Sequence, residues 1–193
     1  IQTSEHVLAA LVGLEIDNVL IELNASEPPI MDGSSIHFVE ALLEAGIEEQ
    51  DAERYEYVVR ENITFVDEET GSEILVMPSK EYQITTMVDF GTKVLGTQNA
   101  TLNQISDFKE QISNARTFSF LHEIEMLLQH GLIKGGDLNN AIVYVDKEIS
   151  EVTMNKLKKA FNKESLTVKP NGILDNLTLR WANEAARHKL LDV

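Results

Sequence analysis

The sequence contains no cysteine, which leaves no disulfide framework and no thiolate metal site, so any metal must be held by His and carboxylates. The lack of cysteine is compatible with a reducing cytoplasm. Basic residues are scarce: 16 Lys and Arg stand against 32 Asp and Glu, a formal charge of −16 with His neutral. A field of that sign repels polyanions, and no Lys/Arg stripe interleaves with aromatics, so nucleic acid is not an expected partner. Long apolar runs are missing too. No window approaches the ~18 uninterrupted apolar residues of a membrane span, so no span is expected. With 10 Gly and 4 Pro, 43% hydrophobic and 25% charged positions in 193, the composition excludes disorder and collagen and suffices for one or two cores. An initial Met is absent as well. The chain opens on Ile1-Gln2, with no signal-peptide pattern, and closes on Leu190-Leu191-Asp192-Val193, which reads as a fragment.

What is present begins as helix, strand, helix. Thr3 or Ser4 can cap a helix running to about Gly13, with Val7, Leu8, Leu11 and Leu14 at helical spacing and Glu5 in the first turn. Residues 18–23 read as a buried strand, residues 24–33 as a loop, and Ser34 or Ser35 as the cap of a helix ending at Gly46. From 55 to 90 the period changes to two, and the simplest reading is an antiparallel meander. Helical segments follow at 108–115 and 120–129, and Gly131, Gly135 and Gly136 lead to a strand at 141–145. An amphipathic helix spans 151–162 and a last helix 179–192. Helices on one side of an antiparallel sheet, twice, make an α+β fold.

Few residues here carry chemistry. Of five His, only His188 has an acid four positions on, Asp192, and on a helix that spacing puts both on one face, as a chelating pair requires. The bland alternative is an exposed helix pair contributing about 0.3 kcal/mol. His6, next to Glu5, is a candidate third ligand with a neighbouring carboxylate base; the alternative is a solvated helix cap. An inverted zinc-protease motif is excluded, because Gln2 stands where its first His belongs. Thr117, in Arg116-Thr117-Phe118, can donate to a developing oxyanion or cap the helix that begins near Phe120. Lys156, Lys158, Lys159 and Lys163 read as a solvated helix face. A non-catalytic two-layer α+β binding module, its Glu and His serving as helix caps, is the rival to an enzyme; a different metal hydrolase is a second.

Taken in order, Ser4-Glu5-His6-Val7-Leu8, Ala10-Leu11-Val12-Gly13-Leu14, Ile16-Asp17-Asn18, Pro29-Ile30-Met31-Asp32-Gly33-Ser34, Ala115-Arg116-Thr117-Phe118, Gly131-Leu132, Gly135-Gly136 and His188-Lys189-Leu190-Leu191-Asp192 resemble the zinc-dependent UDP-3-O-acyl-N-acetylglucosamine deacetylases of lipid A biosynthesis. The resemblance spans the chain. It implies a cytoplasmic enzyme of a Gram-negative bacterium and two similar α+β halves, 1–103 and 104–193, each a small mostly antiparallel sheet on two helices, with the active site between them. It further implies zinc held by His6, His188 and Asp192, Glu5 as general base toward a zinc-activated water, and Thr117 with the metal at the oxyanion. Lys189 would assist electrostatically, and Asp89, Phe90 and Phe118 would bind the UDP-acyl-glucosamine substrate, with Phe90 stacked on uracil. Residues 135–145, with Ala141, Ile142 and Val143 in a strand, are the candidate lining of an acyl passage; the alternative is an ordinary buried core strand. Two departures stand out: Gly91-Thr92 follows Asp89-Phe90 where the family often has His-Pro, and residues 147–176 form a longer, Lys-rich insertion. That insertion resembles members with a dehydratase domain fused beyond the C-terminus. A general-acid His is expected past Val193, so the fragment alone is expected to be nearly inactive.

Overall fold

The first helix forms where its periodicity places it, as α1 (Glu5–Gly13), but its buried stripe is His6, Ala10 and Leu11, while Leu8 and Val12 remain half-exposed. A computed structural model describes residues 2–129, 139–175 and 177–193, and the expected Gly131, Gly135 and Gly136 punctuation lies outside them. Next, α2 (Ile36–Ala45) turns Val39 inward and stops at Gly46. The strand expected at 18–23 does not form: Val19, Leu20, Ile21 and Leu23 are exposed, and the segment joins no ladder among the described residues. An apolar run becomes a strand only when a neighbour supplies backbone partners and a layer to pack on.

The meander is also corrected, into two separate antiparallel hairpins. One pairs β1 (Ile63–Val66) with β2 (Glu73–Val76) and is exposed along its whole length. Its turn is closed by Asp67, whose carboxylate accepts from the Glu69 amide and the Thr70 hydroxyl. The other pairs β3 (Ile84–Asp89) with β4 (Thr97–Leu102) and buries Val88, Ala100 and Leu102. A short helical segment, with α3 at Phe108–Gln111, replaces the longer helix expected at 108–115. Phe120, expected to open a helix, instead ends β5 (Phe118–Phe120), which lies parallel to β6 (Ile142–Tyr144); α4 (Leu121–Gln129) starts immediately after. The insertion contains α5 (Glu151–Ala160), capped by Ser150, whose hydroxyl accepts from the Thr153 amide. The last helix is shorter than expected, α6 (Glu184–Asp192), with Leu179 and Ala182 in the non-helical stretch that precedes it.

The fold is α+β, as expected. Its main core mixes residues from both sides of position 103: Ala10, Val39, Leu102, Phe108, Ile142 and Leu190 belong to one cluster, so α6 packs on the β3–β4 hairpin and on α1. A second cluster joins Leu121, Val143, Val145, Leu157 and Leu174 beneath α4 and α5. Strand β6 lies between the two, with Ile142 and Tyr144 in one and Val143 and Val145 in the other. Both faces of this strand pack into core, and residues 135–138 of the expected acyl-passage lining lie outside the described residues. No helix among the described residues is long and apolar enough to cross a membrane.

The end of α1 is packed so closely that a Cβ on Gly13 would lie 2.0 Å from Cδ1 of the buried Phe108 ring. Gly13→Ala should therefore lower stability by about 1–3 kcal/mol, against the ~1 kcal/mol that Ala would add by helix propensity alone. A lowered urea midpoint checks this, and a raised midpoint would show that the ring yields.

Candidate functional site

Helix α6 carries Glu184, His188 and Asp192 at intervals of four, which sets all three on one face. His188 is 2% exposed, so it is not the solvated helix pair of the bland alternative. Its Nδ1 lies 3.0 Å from the Ala115 carbonyl oxygen, an acceptor only, so the ring donates there and the neutral imidazole keeps its lone pair on Nε2. Burial, the dominant influence, lowers the pKa of His188, which favours that neutral form. The Nε2 lone pair then sits 3.6 Å from Asp192 Oδ1, two electron-rich atoms facing one another beyond hydrogen-bond reach.

His6 meets this pair from α1. Its ring is edge-on to His188 with centroids 5.3 Å apart. It is also 2% exposed, which rules out a solvated cap, and neither ring nitrogen has a hydrogen-bond partner among the described residues. Each orphaned buried polar atom costs about 1–3 kcal/mol unless something occupies it. Burial lowers the His6 pKa most, opposed by the charges of Glu5, Asp192 and Asp32. Two neighbouring imidazoles that burial biases toward the neutral form, and a carboxylate beside one of them, are donor types suited to zinc. Among the described residues no group of three or more His, Asp or Glu side chains stands close enough together to hold a metal ion.

Glu5 and Asp192 both line a cavity of about 300 Å³ whose other walls include Leu8, Phe108 and Leu191. Lys189 places Nζ 2.8 Å from the second Asp192 oxygen and 5.8 Å from the Phe118 ring centroid. Phe118 opens an aromatic wall with Phe90, Phe120 and Tyr144, all edge-on or tilted at about 5.6–6.3 Å. That geometry leaves Phe90 half-exposed at the rim. Asp89 is committed locally: it accepts from the Thr97 hydroxyl at 2.7 Å and the Gly91 amide at 2.8 Å, which together lower its pKa.

Thr117 precedes a strand, so the helix-cap alternative for it is set aside. Its amide donates to Gly33 O at 2.6 Å and its carbonyl accepts from the Ile142 amide at 2.9 Å. The loop holding Gly33 is itself anchored by Asp32, which accepts from the Ser34 hydroxyl at 2.7 Å and faces Arg180 at 2.7 Å. Burial alone would raise the Asp32 pKa; the bonds from Ser34 and Arg180 and the Arg180 charge outweigh it and lower the pKa. The structure thus joins His6, His188, Asp192 and Lys189, and links Thr117 and Phe118 to them through Ala115; Asp89 stands apart, connected through Phe90. The sequence reading missed Glu184. Its one signal is spacing, since it precedes His188 by the same four residues by which Asp192 follows it.

A family model described as UDP-3-O-acyl N-acetylglycosamine deacetylase matches residues 1–163. Among curated relatives, the bifunctional enzyme LpxC/FabZ of Chlorobaculum tepidum is 46% identical over the whole chain, which covers 42% of that protein. UDP-3-O-acyl-N-acetylglucosamine deacetylases of Actinobacillus succinogenes and Myxococcus xanthus are 39% and 37% identical over 100% and 98% of the chain, which spans 55% and 52% of their lengths. The chain thus spans about half the length of the curated relatives it matches. These likenesses define a class, the sugar-nucleotide deacetylases by name. The chain belongs to the UDP-3-O-acyl N-acetylglycosamine deacetylase family.

Proposed function

We propose that this chain is the metal-binding part of a zinc-dependent UDP-3-O-acyl-N-acetylglucosamine deacetylase acting in the cytoplasm in lipid A biosynthesis. The observation that carries the reading is the buried, partnerless His6 beside a His188 whose free lone pair faces Asp192. Those three residues would hold zinc, and the Ala115 carbonyl would fix the His188 ring as an outer partner. When bound, zinc supplies Lewis-acid activation of water and of the amide carbonyl.

The chain's own residues do the rest. Glu5 accepts the proton of the attacking water at its carboxylate. Thr117 donates its hydroxyl to the oxygen that becomes negative as the acetamide carbon turns tetrahedral. Lys189 adds positive charge at the same centre, and Phe90 and Phe118 offer aromatic faces to the substrate. In this reading the site lies between residues 1–103 and 104–193, and the greater length of the relatives named bifunctional supports a second, fused dehydratase activity.

The test is metal content. The purified intact protein should carry about one zinc per chain, and His188→Ala should lose it while the protein stays folded by circular dichroism. A folded wild-type protein that takes up no zinc would overturn the reading in favour of a binding module.

A further inference from the structure

We propose that Glu184 is a positioning residue for this deacetylation: through Arg116 it fixes the Thr117 segment against the helix that carries His188 and Asp192. This rests on the function proposed above. The Glu184 side chain is fully buried and its carboxylate is saturated. Oε1 accepts from the Arg116 amide at 3.1 Å and from Arg116 Nε at 2.8 Å, while Oε2 accepts from Arg116 Nη2 at 3.2 Å and the Arg180 amide at 2.7 Å. Arg116, itself buried, spends a further donor on the Thr178 carbonyl at 2.6 Å.

A buried ion pair is a costly way to fill space, because apolar residues of the same volume are usually as stable or more so. What this pair does that an apolar pair cannot is hold a backbone. Glu184 grips the main-chain N–H of the residue just before Thr117, and one helical turn on His188 grips the carbonyl of Ala115. Segment 115–117 is therefore fastened to α6 by two rungs, and the same helix face that presents the ligands also sets where Thr117 stands. On the far side Thr117 is tied to Gly33 and Ile142. Removing the Glu184 rung leaves the segment fastened to α6 by His188 alone and still tied to Gly33 and Ile142, a displacement rather than an unfolding.

The test uses Glu184→Gln, Thr117→Val and the double variant in the intact protein, with kcat, KM and zinc content measured for each. In Glu184→Gln the new amide group sets donors against the Arg116 and Arg180 donors. The expected result is a kcat lowered by roughly 10- to 10²-fold, the usual cost of a misplacement near 1 Å, with KM and zinc stoichiometry held. The effect should not multiply: the double variant should be no slower than Thr117→Val alone, because both changes remove one contribution. Multiplying effects, or a defect confined to thermal stability, would overturn the inference and leave Glu184 structural. If Glu184→Gln does not fold, the pair Arg116→Met with Glu184→Met restores an apolar core without the rung; kcat should stay low there, and a wild-type kcat would refute positioning. A Thr117→Val protein with normal kcat would sink the proposed role of Thr117 itself, a different result from additivity.

Discussion

An intact protein carrying Glu5→Gln should lose 10²-fold or more in kcat while keeping its full complement of zinc. Glu5 is the first residue of α1, adjacent in sequence to the buried His6, and it shares with Asp192 the wall of a cavity of about 300 Å³. Its charge is felt at His6, yet in the proposed function it is not one of the three ligands. Gln has the same shape and keeps a hydrogen-bonding oxygen but cannot accept a proton, so the change removes general-base catalysis and little else. That catalysis is typically worth 10²–10⁴. Metal analysis beside steady-state kinetics decides the matter. Zinc lost together with activity would make Glu5 a structural support of the ligand set, and activity kept would put the base elsewhere.

The parts of this molecule legible in its sequence are those whose cause is local. Helices α1, α2, α5 and α6 announce themselves by the spacing of their apolar residues, and the His188–Asp192 pair is visible because four residues make one turn. Strand pairing is not local. β5 is three residues long, too short for any period, and its partner β6 lies beyond α4, so Phe120 reads equally well as the start of a helix. The run at 18–23 carries a strand's composition without a partner among the described residues. The Arg116–Glu184 pair is separated by 68 positions, and nothing in either neighbourhood points to the other. Burial of His6 follows from how α1 rotates on α6 and the core, which selects His6 and Ala10 over Leu8 and Val12. An apolar stripe counted along the chain therefore places the helix and the buried Leu11 correctly but turns Leu8 inward, where the structure exposes it, and passes over His6 and Ala10. The same rotation that hides His6 brings it to His188.

Gly33→Ala should be more damaging than Gly→Ala at the exposed turns among the described residues, because two separate costs fall on one methyl group. The backbone at Gly33 is left-handed, φ +83°, and a Cβ built there would come 1.7 Å from the Asn140 carbonyl oxygen and 3.2 Å from Thr117 Cγ2. The conformational cost alone is about 1–3 kcal/mol. The steric cost adds about 1–3 kcal/mol more, because a main-chain carbonyl has no rotamer to escape into and the loop or β6 must shift. Gly71 supplies the control: its φ is +70° and nothing lies within 4 Å of the position its Cβ would take. Gly71→Ala should lower Tm by a few degrees, and Gly33→Ala by several degrees more, at about 2–4 °C per kcal/mol for a domain of this size. Because the Thr117 amide donates to the Gly33 carbonyl, the forced shift is transmitted to Thr117. Protein that still folds should show a lower kcat with zinc retained, a defect absent from Gly71→Ala. Equal Tm losses in the two variants would show that the close approach to Asn140 relaxes without cost, and a normal kcat in Gly33→Ala would show that Thr117 is held by Ile142 and the α6 rungs alone.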